Sequence, residues 1–275
     1  MSTWNFHNPV SVTFGWGRLS QLPALLKGRR AVVVTFPQAR ETGLLAQIEA
    51  LLGPHLAGVI DDVQPNPELS WVSGHYRSFW KQYADCVVVA VGGGSVLDSA
   101  KMFLPGVASG DFAEIHAALA QGRTPAITRA LPMIAVPTTA GTGSEVTPWA
   151  TLWDLDAQPA VKRSWSCAQG FADQAWIDPN LTLTCPEGLT RDTALDTLAH
   201  ALESIWNHHA NAITRPLAVR SARMVLQTLP ELLSKPQDKV LREQMSQASL
   251  LAGLAMSQTQ TALAHALSYD LTLKE

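Results

Sequence analysis

The chain has 275 residues, 47% apolar and only 16% charged, a composition that fills a large core and excludes a disordered chain. Twenty Lys and Arg against 23 Asp and Glu give a net charge of −3, and no basic run offers a footprint for nucleic acid or an anionic membrane. Three cysteines without CxxC spacing argue against a disulfide framework or zinc ribbon. The chain has no basic-then-apolar start and no stretch of about 18 apolar residues, so a cytoplasmic protein is expected.

Up to about residue 180, short β-branched runs alternate with helical stretches, the pattern of parallel βαβ units. AVVVTF (31–36) reads as a buried strand, followed by a helix over 39–53 that ends on Gly53. AGVIDDV (57–63) and CVVVAV (86–91) are further strands, with Val72, Tyr76, Phe79 and Trp80 at helical spacing between them. MIAVPTT (133–139) is another strand. After IDPNL (177–181) the strand signal stops, and amphipathic helices follow over 188–208, about 213–233 and about 236–260. The expected fold is an α/β N-terminal domain, residues 1–182, with a doubly wound, mostly parallel sheet, then an all-α domain, residues 183–275.

Two loops carry the chemistry of the first part. CVVVAVGGGSVLDSAK (86–101) runs from a strand through Gly92, Gly93 and Gly94 into a helix, with Ser95 and Asp98 spaced as a capping box. Glycines here let a phosphate approach the backbone N–H groups at the helix start, although a tight turn would also use them. The pattern is neither GxGxxG nor a Walker loop. PTTAGTGSEVT (137–147) supplies hydroxyls from Thr138, Thr139, Thr142 and Ser144, while Gly141 and Gly143 let the loop lie flat against a ligand. Two such loops, each at the carboxyl end of a strand, point to one shared cleft.

In RDTALDTLAHALESIW (191–206), helical spacing puts Leu195, Leu198, Leu202, Ile205 and Trp206 in one arc expected to pack. Asp192, Asp196, His200 and Glu203 run along its edge. Asp196 and His200, one turn apart, suit either a hydrogen bond at a helix surface or two arms of a metal site. His7, His55, His75, His116, His208 and His209 are expected to be solvated.

GGGSVLDSAK, PTTAGTGSEVT, the IDP at 177–179 and the D-x3-H of ALDTLAHALE, in that order, resemble the iron-containing (group III) alcohol dehydrogenases. FHNPVSVTFGWGRL resembles their first strand and turn, and the similarity runs from near residue 6 to the last residue. The resemblance implies that Gly93, Gly94 and Ser95 hold the pyrophosphate of NAD or NADP, with Asp98 supporting that loop. Thr138, Thr139 and Thr142 would line the adenosine and ribose side, and Lys162 would contact the cofactor. Asp196, His200 and His265 would ligate a divalent metal, iron or zinc. Tyr269 stands where many relatives carry a second histidine assigned to proton handling, and HALSY (265–269) resembles a branch of phosphonoacetaldehyde and related small-aldehyde reductases.

Phe36, Pro37 and Gln38 stand where many relatives carry an Asp that disfavours a 2′-phosphate, so both nicotinamides stay open and Arg40 becomes a candidate phosphate partner. The family's fourth ligand lies in a PHG segment just beyond HALSYDLT, so the resemblance implies truncation at the C-terminus and an incomplete helical domain. The implied activity is a metal-dependent, NAD(P)-linked oxidoreductase interconverting a small alcohol and its aldehyde. Neither a nucleic-acid nor a membrane partner is expected, and a homodimer is left open. The alternatives are a dehydroquinate-synthase-like lyase and a non-catalytic nucleotide-binding fragment.

Overall fold

The computed structural model describes residues 3–272, with side chains described to Ser268. Its strands are β1 (Ser11–Phe14), β2 (Ala31–Val34), β3 (Leu56–Ile60), β4 (Val87–Gly92), β5 (Pro105–Val107), β6 (Ile127–Ala130), β7 (Met133–Pro137), β8 (Trp149–Asp154), β9 (Val161–Ser166) and β10 (Gln174–Ile177). Its helices are α1 (Leu22–Leu25), α2 (Gln38–Glu41), α3 (Leu44–Leu52), α4 (Leu69–Tyr83), α5 (Gly94–Phe103), α6 (Phe112–Ala120), α7 (Glu187–Trp206), α8 (Thr214–Ser234), α9 (Lys239–Thr259) and α10 (Leu263–Thr272).

Six strands form a parallel sheet in the order β1-β10-β7-β4-β2-β3. The central strands read as continuous apolar runs because helices cover both faces. Val32, Val34, Val88 and Ala90 face a core shared with Tyr76 and Phe79 of α4, Leu97 and Phe103 of α5, and Phe112 of α6. Ala31, Val33, Val87, Val89 and Val91 face the opposite core with Leu22 of α1 and Leu45, Ile48 and Leu52 of α3. This is the doubly wound α/β arrangement expected from the alternating pattern. Asp178 of the IDP motif is 1% exposed and accepts from the Gly17, Leu19 and Asn180 amides, tying the turn after β1 to the end of β10.

The antiparallel hairpin of β8 and β9 carries no strong strand signal in the sequence. It is held by tertiary packing, with Ala150, Leu152 and Trp165 buried against the same core as α5. Beyond β10 the chain is helical, and α7, α8 and α9 pack together through Ala194, Val225, Leu229, Leu232, Leu241, Met245 and Ala248. A second contact of Ala201, Ala222 and Ala252 lets the helix axes approach closely. Among the described residues, no helix is long and apolar enough to cross a membrane.

The leucine arc expected to be the packed face of α7 is split. Leu198 and Leu202 are partly buried, but Leu195 and Trp206 are 48% and 62% exposed. The buried face instead carries Ala194, Thr197, His200, Ala201, Glu203 and Ser204. On one side α7 meets α8 and α9 through small residues, and on another it meets the polar loop after β7, so the bulkiest apolar groups are turned away.

Candidate metal and cofactor site

Strands β4 and β7 are neighbours with Gly92 opposite Pro137, so the glycine loop and the threonine loop leave the same edge of the sheet side by side. A Cβ on Gly93 would lie 3.3 Å from Thr139 Oγ1, and one on Gly94 would lie 2.5 Å from Thr142 Cγ2. The threonines therefore rest directly on the glycine backbone, which leaves no room for a side chain there. Thr138 is buried, and its amide donates to Gly92 O at 3.0 Å. Ser95 is half-buried in the first turn of α5. Gly93, Gly94, Ser95, Thr138, Thr139 and Thr142 are thus brought together at one helix N-terminus, where backbone N–H groups and the helix dipole favour an anion.

Asp98 departs from the capping-box expectation. The N-cap of α5 is Gly93, without a side-chain cap, and the helix starts at Gly94. The Asp98 carboxylate instead accepts from Ser144 Oγ at 2.6 Å and from the Thr151 amide at 2.8 Å. Lys101 is fully buried, donates to Ser144 Oγ and Trp149 O, both at 2.7 Å, and stands 3.8 Å from Asp98. Burial drives the Lys101 ammonium down to about 8 against the attraction of Asp98 and Glu145, and burial likewise raises Asp98. The cluster joins α5, the threonine loop and β8, which supports the cleft in a way that local spacing does not reveal.

The threonine loop also seats the helical half. Gly143 has φ +63°, and a Cβ there would meet Gly253 Cα of α9 at 2.5 Å. At Gly141 a Cβ would meet Thr193 Cβ of α7 at 2.6 Å, and Thr197 Oγ1 donates to Gly141 O at 3.2 Å. Backbone-to-helix contact at Gly141 brings α7 against the cleft, and that at Gly143 brings in α9.

On α7, Asp196, His200 and Glu203 fall at i, i+4 and i+7 along one stripe. Asp196 Oδ1 lies 3.6 Å from His200 Nε2 and 3.4 Å from His265 Nε2 of α10. Asp196, His200 and His265 each offer one ligand atom, all within 4.8 Å of one another. The imidazole rings of His200 and His265 are stacked, with centroids 4.5 Å apart and planes 10° from parallel. Among the described residues no other such cluster forms, and His208 and His209 are exposed.

The states of His200 and Asp196 suit a cation, whereas at His265 burial is outweighed by Asp196 and Glu203, which raise the imidazole so that an ion must displace its proton. Burial holds the His200 imidazole below its ordinary pKa, which keeps it neutral and able to ligate. Its Nδ1 is buried with no hydrogen-bond partner among the described residues. Burial pushes Asp196 up, but His200, His265 and Lys162 outweigh it and hold the carboxyl below its usual range. One carboxylate oxygen and two imidazole nitrogens fit an iron or zinc ion. Lys162, on β9, acts electrostatically on both Asp98 and Asp196, which puts its charge within reach of the cofactor loops and the metal cluster. The Tyr269 side chain lies outside the described residues. Arg40 is paired with Asp61 through its Nε.

Residues 9–179 match the model of the iron-containing alcohol dehydrogenases, and residues 190–274 match the C-terminal model of the same family. The chain belongs to the iron-containing alcohol dehydrogenase family. Within this family it is 34% identical to long-chain-alcohol dehydrogenase 1 of Geobacillus thermodenitrificans over 94% of the chain, and it spans 65% of that relative's length. It is 31% identical to the 1,3-propanediol dehydrogenase of Citrobacter freundii, over 97% of the chain and 67% of that relative. Its fold matches the crystal structure of sulfoacetaldehyde reductase from Bifidobacterium kashiwanohense in complex with NAD+, with a TM-score of 0.89 and 29% identity, over 99% of this chain and 72% of that one.

Proposed function

We propose that this chain belongs to a metal-dependent, nicotinamide-linked oxidoreductase that interconverts a small alcohol and its aldehyde. The observation that carries the reading is the convergence of Asp196, His200 and His265, with the threonine loop packed against the neighbouring face of α7 at Thr193 and Thr197 and the glycine loop beside it. When bound, the nicotinamide exchanges a hydride with the substrate carbon and the divalent ion supplies Lewis acidity toward its oxygen.

The chain's own residues do the rest. Gly93, Gly94 and Ser95 offer N–H groups at the start of α5 to the cofactor pyrophosphate, and Thr138, Thr139 and Thr142 flank its adenosine and ribose side. Lys162 adds a positive charge between the cofactor phosphates and the reacting end. Asp196 and His200 form a rigid pair because both project from α7, and His265 closes the set from α10. Tyr269 stands in the sequence where many relatives carry a second histidine, and it is the candidate hydrogen-bond donor to the substrate oxygen.

Iron is the ion that the family name favours, with zinc as the alternative. NAD is favoured over NADP because Arg40, the sequence's candidate for a 2′-phosphate, is engaged by Asp61, and the sulfoacetaldehyde reductase neighbour holds NAD+. That neighbour and the HALSY motif support a short aldehyde bearing an acidic group, such as phosphonoacetaldehyde. A dehydroquinate-synthase-type lyase gains no support from these dehydrogenase and reductase relatives.

The test follows NADH absorbance in iron- or zinc-loaded protein with a panel of short aldehydes, with and without a chelator. Metal-dependent NADH consumption is the expected result. NADH binding with no metal-dependent turnover on any aldehyde would overturn the assignment in favour of a nucleotide-binding chain.

A further inference from the structure

Glu203 is 1% exposed, yet none of the motifs assigns it a role. It lies on α7 three residues after His200, on the stripe that carries Asp196 and His200. Its Oε1 accepts from the backbone amides of Ala264 at 2.7 Å and His265 at 3.2 Å. Its Oε2 accepts from the Ala262 amide at 2.6 Å and lies 2.7 Å from His265 Nδ1. Every strong acceptor direction of this buried carboxylate is therefore spent on the segment that begins α10. Three backbone N–H donors and an imidazole nitrogen crowd its two oxygens, leaving no acceptor for a carboxyl hydrogen, so the group sits there as an acceptor only.

We propose that Glu203 is a positioning residue for the metal centre, fixing both the entry of the chain into α10 and the tautomer of His265 so that Nε2 is presented to the ion. The inference rests on the metal-site reading of Asp196, His200 and His265. An ionised carboxylate only accepts, so the hydrogen between it and the imidazole resides on Nδ1. Nε2 then faces Asp196 at 3.4 Å, with the ring stacked on His200. A carboxylate behind a ligating imidazole holds ring orientation and raises ligand basicity. Here the same carboxylate also caps the helix that carries the ligand, so one side chain on α7 sets both the place and the chemical form of a ligand on α10.

Glutamine cannot reproduce this arrangement, because its amide has one acceptor oxygen and an NH2 that would face two of the N–H groups Glu203 now satisfies. The experiment uses the metal-free full chain and two readouts. The first is imidazole nitrogen NMR of His265 above its titration range, in the wild-type chain and in Glu203→Gln. The second is zinc affinity by calorimetry for wild type, Glu203→Gln, Asp196→Ala and His265→Ala, with NADH affinity as the check on folding.

Wild-type His265 is expected to carry its hydrogen on Nδ1. Glu203→Gln is expected to mix the tautomers and weaken zinc binding about 10–100-fold while NADH affinity is retained. A neutral wild-type ring protonated on Nε2 would overturn the proposal, and so would Glu203→Gln binding zinc as tightly as wild type. The wild-type tautomer decides the matter even if Glu203→Gln does not fold. If Asp196→Ala and His265→Ala bind zinc like wild type, the metal-site reading is what fails, and the tautomer still reports whether Glu203 orients His265.

Discussion

The Asp196 carboxylate and the His265 imidazole, 69 residues apart in sequence, approach to 3.4 Å. Neither residue's own helix brings them together; the meeting requires α10 to dock beside α7. Asp196→Ala is expected to lower iron or zinc affinity by at least about 100-fold, more than loss of a supporting group costs. Elemental analysis and calorimetry of the purified variant measure this, and stoichiometric metal in Asp196→Ala would place the ion elsewhere.

Gly94 has no room for a methyl group beside Thr142. In Gly94→Ala the new Cβ is forced against Thr142 Cγ2, so the threonine loop shifts and NADH affinity falls roughly tenfold, equivalent to about 1.4 kcal/mol of overpacking. Removing the obstructing methyl in Gly94→Ala/Thr142→Ala is expected to restore part of the loss beyond what the single changes predict. Fluorescence titration of NADH against the four forms gives the coupling, and simple additivity would contradict direct contact.

Asp98 and Lys101 form a buried pair with Ser144 between them. Asp98→Ala leaves the buried ammonium without its nearest carboxylate and with only the attraction of Glu145, at an expected cost of about 3 kcal/mol. Asp98→Ala/Lys101→Met removes both charges and should recover much of that stability. Urea unfolding of the three variants checks the order, and a double variant less stable than Asp98→Ala would refute it.

Tyr76 is buried and donates to Pro105 O at 2.5 Å, and burial raises its phenol from 10.0 to about 12. In the folded chain it keeps its proton where an unfolded tyrosine has begun to ionise. The folded state therefore binds more protons across this window, and stability is lost as pH rises from 10 toward 12. Tyr76→Phe is expected to flatten that part of the stability profile. An unchanged alkaline slope in thermal melts of Tyr76→Phe would assign the loss to other groups.

Much of the sheet half was legible because its signals are local. AVVV and VVVAV are buried on both faces and so read as unbroken apolar strands, and the glycines and threonines lie directly after them. The β8 and β9 hairpin was not legible, since its alternating polar residues acquire strand structure only by pairing with each other and packing on α5. The spacing of Ser95 and Asp98 predicts a cap, but Ser144, 46 residues away, claims the carboxylate instead. Helical periodicity predicts Leu195 in the core because it identifies an apolar arc without saying which arc finds a partner.

From the sequence alone come the central strands and the long C-terminal helices, the glycine and threonine loops and the one-turn pairing of Asp196 with His200, all properties of spacing within a single element. The tertiary structure alone decided that Gly143 meets Gly253, that Ser144 takes Asp98 and that Glu203 clasps the start of α10 and aligns His265. Such contacts depend on which elements pack together and at what distance, and that is settled by burying the whole core at once rather than by any local run of residues.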